Sequence, residues 1–104
     1  IEQFKGPVAC VSGLDDRAWP SSMASRMVMN TLERHGHAAE RLHLDFDSAG
    51  HGIGMPFLPS TSIQVLHPVS QVAYSNGGTP PGNARASETS FEEICAFIER
   101  STKA

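Results

Sequence analysis

The sequence predicts an α/β fold: a parallel strand-helix-strand unit, then a long loop, then a C-terminal helix. Three observations carry this. Pro7-Val8-Ala9-Cys10-Val11-Ser12 is an apolar run closed by Gly13, the pattern of a parallel strand covered on both faces. Met23, Met27, Val28 and Leu32 recur at helical spacing between Ser21 and His35. Leu42 to Phe46 then alternates with His43 and Asp45, which marks a second strand.

Taken in order, Pro20 suits the first position of the helix, because its missing N–H would be unpaired there anyway. Gly36 is the stop. Trp19 is read as packing at the helix entrance, with a place in a ligand wall as the alternative, and Met23, Met27 and Met29 as core filler or one mixed face. His35 and His37 flank Gly36, where a cation suits the negative end of the helix dipole. No third ligand lies nearby to make them a metal site, and His43 and His67 are read as surface residues. Residues 52–82 hold five prolines and five glycines without a sustained period, so a long irregular excursion is expected, of the kind that forms a lid or stays disordered. Gly77, Gly78 and Thr79 are expected to be a turn delivering the last helix. Ser87, Glu88, Thr89 and Ser90 are candidates to cap it, with Phe91, Ile94, Cys95 and Ile98 as its apolar face.

A chain of 104 residues holds one small domain that buries roughly 65% of its unfolded surface. The formal charge is −3, with acidic and basic residues interspersed, which gives no basic stripe for nucleic acid and no polybasic membrane patch. No apolar run approaches a membrane span and no signal peptide opens the chain. Charged residues make up 18%, below the ~25% usual for a free domain, so part of the surface is expected to be covered. The sequence is therefore read as a single partial domain, residues 1–104, of a larger protein, with Ile1 at an internal or processed boundary. Its expected partners are the remainder of that domain or a second copy. Cys10 and Cys95 lack C-x-x-C spacing and read as small buried thiols of a reducing compartment, which suggests the cytoplasm.

Parallel strands joined by a right-handed crossover put both following loops on one edge of the sheet, where open α/β sheets bind ligands. Asp16 stands three residues after Gly13, and His51 sits in Ser48-Ala49-Gly50-His51-Gly52 after the second strand. A carboxylate on imidazole Nδ1 fixes the tautomer and frees Nε2 to take a proton from a nucleophile. A nucleophile, then an acid, then a base is the chain order of an α/β-hydrolase, and here only the last two are present. The plainer alternatives are a helix cap or Asx turn for Asp16, a polar turn residue for His51 and a solvated turn residue for Asp15. Met55 and Phe57, in Met55-Pro56-Phe57-Leu58-Pro59, either line a substrate approach or plug an irregular loop. No cofactor or metal is called for.

Nearly the whole chain resembles the C-terminal end of the acyl-CoA thioester hydrolase / bile acid-CoA:amino acid N-acyltransferase family, a dienelactone hydrolase-like branch of the α/β-hydrolases. The resemblance rests on Ser12-Gly13-Leu14-Asp15-Asp16 with Trp19-Pro20-Ser21, Leu32-Glu33-Arg34-His35-Gly36 and Ala49-Gly50-His51-Gly52-Ile53. It extends through Pro56-Phe57-Leu58-Pro59 to Gly77-Gly78-Thr79-Pro80 and Asn83-Ala84-Arg85-Ala86. It implies the C-terminal portion of an α/β-hydrolase fold, with Asp16 as acid and His51 as base. It also implies a serine or cysteine nucleophile upstream of Ile1 and an acyl-CoA or ester substrate, with Met55 and Phe57 near the acyl or pantetheine chain. The fragment alone is then expected to be inactive. A non-catalytic packing or interaction module is the alternative.

Overall fold

The computed structural model describes residues 1–60 and 63–103. Its elements are β1 (Val8–Gly13), α1 (Ser21–Arg34), β2 (Arg41–Phe46), β3 (Gln64–Leu66), β4 (Ala73–Ser75) and α2 (Pro80–Thr102). β1 and β2 pair in parallel, in register from Val8 opposite Arg41 to Gly13 opposite Phe46. Both helices pack on both strands. α1 covers the face bearing Cys10, Ser12, His43 and Asp45, where Ser22 bonds Asp45; by the alternation of strand side chains, the other face falls to α2.

α1 ends as the sequence predicts. Gly36 has φ +65, and the amides of Gly36 and His37 donate to the carbonyls of Glu33 and Leu32 (3.1 and 3.0 Å). These two bonds form the reciprocal closure that a left-handed residue after a helix makes possible. Pro20 stands one position earlier than expected, as the residue preceding the helix, and makes no side-chain cap. The buried stripe also differs from the apolar one. Met23 and Met27 are exposed, while Ser21, Ser22 and Leu32 are buried. The reason is polar: Ser22 reaches Asp45 at 2.5 Å, and that bond turns the serine side of the helix to the sheet.

The last helix starts seven residues before the expected cap. Thr79 is the capping residue, its hydroxyl accepting from the Gly82 amide at 3.1 Å, and Pro80 and Pro81 occupy the opening positions. Neither proline has an N–H to lose there. Ser87 and Ser90 are consequently buried in the helix body with Ala86 and Phe97, while Phe91 and Ile98 are exposed and so is Cys95. Small residues on the inward stripe let α2 come close to the sheet. Both cysteines are free.

The excursion is not wholly irregular. β3 and β4 form an antiparallel hairpin, whose turn is organised by His67: its Nδ1 accepts from the amides of Val69 and Ser70 (3.2 and 3.1 Å). Strands of three residues carry too little alternation to be recognised. Thr61 and Ser62, within the excursion, lie outside the described residues.

β1 is less covered than a strand buried on both faces. Only Ser12 and Gly13 are buried, the rest half-buried. Buried apolar side chains among the described residues are Leu32, Ala49, Ala86 and Phe97, against six buried polar ones. The Cα radius of gyration is 15.3 Å, larger than the ~13 Å of a compact chain this long. No described helix is long and apolar enough to cross a membrane. With so small a core, Leu32, fully buried, carries much of it. Leu32→Ala is expected to cost about 2–4 kcal/mol in urea denaturation; a loss under about 1 kcal/mol would mean the core does not centre on α1.

Candidate active site

The parallel register brings two loops to the same edge. After β1, the amide of Leu14 donates to Phe46 O and that of Asp15 to Ala49 O, both at 2.9 Å, and the Asp16 amide turns back on Gly13 O at 3.2 Å. The first loop is thereby laid along the second. Asp16 Oδ2 lies 3.1 Å from His51 Nδ1, and its Oδ1 accepts from the amides of Ala18 and Trp19 at 2.9 and 3.2 Å. Turn-capping and imidazole-holding are therefore not alternatives: each carboxylate oxygen does one of them. The Asp16 side chain is 4% exposed and that of His51 48%, so the carboxylate is enclosed and the imidazole opens to solvent.

Burial alone would raise the Asp16 pKa. The nearby Ser21 hydroxyl, together with hydrogen bonds from His51 and from the Trp19 and Ala18 amides, outweighs it and holds the carboxyl below the ordinary aspartate value. An ionised carboxylate only accepts, so this hydrogen bond runs from His51 Nδ1–H to Asp16 Oδ2. Ser21 is itself 7% exposed, and its hydroxyl has no hydrogen-bond partner among the described residues.

A third segment locks the two loops. Gly77 and Gly78, both at positive φ, bridge to Asp16 and Ala49 respectively. The Asn76 carbonyl accepts from His51 N at 2.8 Å and from Arg17 N at 3.3 Å. Gly50, immediately before His51, lies so close to Asn76 O and Gly77 that a Cβ there would overlap them. Its amide donates to Asn83 Oδ1 at 2.8 Å. Gly52, on the other side of His51, has open space around it, so only the first of these two glycines answers to crowding.

Asp15 faces away from the imidazole and is not simply solvated. Its Oδ2 accepts from Gly78 N at 2.8 Å and its Oδ1 from Arg17 Nε at 3.1 Å. The Gly78 amide first, then Arg17, hold its carboxyl below the ordinary range. Trp19 is half-exposed rather than packed in, and shares a cleft with Asp16, Ser21, His51 and Ile53. Met55 lines a neighbouring cavity with Leu58, Ile63, Asn76, Asn83 and Ser87. Phe57, at φ +65 and 90% exposed, lines neither.

A second serine-histidine-aspartate grouping lies under α1, where His43, read as a surface residue, is half-buried. Ser12 Oγ is 2.7 Å from His43 Nε2 and 2.8 Å from Asp45 Oδ1; Ser22 and Arg26 also bind Asp45. Asp45 Oδ1 can only accept, so Ser12 gives it its one proton and takes the His43 N–H. A hydroxyl bonded this way, 2% exposed, is no nucleophile, and the group is a structural tie. Among the described residues, no three His, Cys, Asp or Glu gather as metal ligands.

Sequence reasoning missed Ser21, Asn76 and Asn83 as site residues. Asn83 offers a signal: a polar amide on the same helical stripe as Ala86, Ser87 and Ser90 has to find partners inside.

A family model described as BAAT / Acyl-CoA thioester hydrolase C terminal matches residues 1–104. Two curated proteins of Mus musculus are similar at 29% identity. One is acyl-coenzyme A thioesterase 6, over 96% of this chain and 23% of its own length; the other is the peroxisomal succinyl-coenzyme A thioesterase, over 94% and 23%. The chain thus spans about a quarter of the length of these relatives.

The Asp16 carboxyl, followed by NMR, is expected to titrate below the ordinary aspartate value. Since its folded pKa is depressed, its contribution to stability is complete above the unfolded value of about 4 and is lost as pH falls through the lower folded one. Titration at or above about 4 would mean that burial outweighs the hydrogen bonds.

Proposed function

The chain belongs to the BAAT / acyl-CoA thioester hydrolase C-terminal family, and we propose that it supplies the acid, Asp16, and the base, His51, of a nucleophile-histidine-aspartate triad acting on acyl-CoA thioesters. The observation that supports this most is the 3.1 Å contact of His51 Nδ1 with an enclosed, ionised Asp16. His51 Nε2 would take the proton of a serine or cysteine nucleophile as it attacks the thioester carbonyl. The imidazolium, stabilised by Asp16, would then return the proton to the departing thiol. Water would release the acyl group by the same base in a hydrolase, and an amine would do so in a transferase.

No described residue of this chain fills the role of nucleophile or of oxyanion hole in this reading. Both are assigned to an upstream part of the same α/β-hydrolase domain, of the dienelactone hydrolase-like branch, whose strands would extend the sheet along the free edge of β1. Two parallel strands with half-buried faces do not make an independent sheet. Exposed Met23, Met27 and Trp19 would be covered in part by the same remainder. Met55 would line the acyl or pantetheine approach, and Phe57 would meet substrate only once the surrounding domain gives it a wall. The chemistry needs no cofactor. The two free thiols favour the cytoplasm, whereas the name of one relative puts that protein in the peroxisome; fractionation of the tagged protein decides between them. A non-catalytic packing module would explain the exposed apolar surface, but it gives no reason for an imidazole with a free Nε2 at a cleft.

In the full-length polypeptide, His51→Ala is expected to lower kcat on an acyl-CoA by about 10³-fold or more, and Asp16→Asn nearly as much through the wrong tautomer. Asp15→Asn should cost far less. Equal losses for the two aspartates, or turnover surviving His51→Ala, would overturn the assignment.

Residues 1–104 alone should show no turnover and should self-associate in sedimentation velocity, because the open sheet edge seeks a strand. A monodisperse, cooperatively melting monomer would favour the packing-module reading instead.

A further inference from the structure

Asn83 lies in the first turn of α2, 5% exposed, with its amide between two loops. Oδ1 accepts from the Gly50 amide at 2.8 Å, in the interior. Nδ2 faces the Gly77 carbonyl at 3.5 Å. Gly50 precedes His51, and Gly77 follows Asn76, whose carbonyl takes the His51 amide proton. One side chain therefore grips both strands of backbone that carry the imidazole. Among the described residues, the His51 side chain bonds Asp16, at 3.1 Å, and the ring is half open to solvent. Where the ring points then depends on where residues 50 and 51 stand. A displacement of about 1 Å takes Nδ1 out of hydrogen-bond reach of Asp16.

We propose that Asn83 is a positioning residue for the base: by holding Gly50 and Gly77 together it sets the position of His51, keeps Nδ1 on Asp16 and leaves Nε2 facing the cleft. This rests on the reading of Asp16 and His51 as an acid-base pair. Gly50 has no side chain to serve instead. A Cβ at Gly78 would collide with the Asn83 amide, so the clasp is shaped around that amide. The role also accounts for the early start of α2, because Thr79, Pro80 and Pro81 put Asn83 on the inward stripe beside the base loop.

The test uses the full-length polypeptide labelled with ¹⁵N-histidine. Near pH 8, where neutral imidazole prevails, nitrogen shifts report which ring nitrogen holds the proton. Wild type is expected to hold it on Nδ1. Asn83→Ala is expected to move it toward Nε2, the form favoured by a free imidazole, and to lower kcat on an acyl-CoA by about 10- to 100-fold with KM changed by less than about twofold. Phe97→Ala, which loosens the same helix far from the site, is expected to leave the tautomer unchanged. The proposal is overturned if Asn83→Ala keeps the Nδ1 proton and wild-type kcat, or if Phe97→Ala moves the tautomer as far. Should Asn83→Ala fail to fold, Asn83→Ser carries the same two outcomes, since it leaves room for water on the Gly50 amide while losing the tether. The tautomer is read without turnover. If His51→Ala leaves activity intact, the catalytic reading fails while the positioning of His51 is still decided.

Discussion

Everything at the site depends on the in-register parallel pairing of Val8–Gly13 with Arg41–Phe46. Parallel strands end on the same side, so the chain leaves both at one edge and two loops distant in sequence must lie side by side. The pairing does not stop at the last strand residues. It runs on through Leu14 to Phe46 and Asp15 to Ala49, so the acid loop is built as an extension of the ladder. A slip of one residue in either strand would put Ser12 and Asp45 on opposite faces and carry Asp16 away from His51 at the same time. Fold and site therefore share one register.

Given that register, the two side chains of the Asp16–His51 pair are held unequally. Asp16 is enclosed and held by two backbone amides, a preorganised acceptor that need not move. His51 is held by its backbone and kept open at the ring, as a group that must trade protons with something outside this chain would be. The charge arrangement agrees with this division. Asp15, next to Asp16, has its own partners in Arg17 and the Gly78 amide, which draws its charge toward the clasp rather than the imidazole. The serine-histidine-aspartate group under α1 shows the opposite design. There Ser12 is buried and bonded to both half-buried His43 and Asp45, and the group pins helix to sheet.

How legible this was differs from element to element, for physical reasons. The strand-helix-strand unit and the meeting of residue 16 with residue 51 could be read because they follow from local signals: an apolar run, a helix stop at Gly36 and a right-handed crossover. The inward faces of the helices could not. Met23 and Met27 form the more apolar stripe of α1, yet Ser22 faces in, because its partner Asp45 is fixed by the strand pairing and periodicity is blind to that. In α2, Ser87 to Ser90 resemble a cap, but Thr79 followed by two prolines wins, since prolines stop costing hydrogen bonds at a helix start. Gly50 is a place of close approach. What approaches it, the Asn76-Gly77 backbone, comes from 26 residues further on in an excursion that has no period of its own.

That excursion is where the chain's economy is clearest. A helix covering the second face of a two-stranded sheet could begin anywhere along the loop, yet it begins where its first turn can reach the base loop. Thr79 donates its amide to Ser48 O, Gly82 lies against Ser48 with no room for a side chain, and Asn83 holds Gly50. Three contacts from one helix start fall on Ser48 and Gly50, within the three residues that lead into His51. The cost is a core of few large side chains and an interior richer in serine and asparagine than in leucine. Such an interior is specific rather than strongly cohesive, because hydrogen bonds fix geometry while contributing little net stability. The apolar surface left outside, from Met23 and Met27 to Trp19, is the complement of that choice. A unit built for the placement of two side chains leaves its cohesion to whatever packs against it.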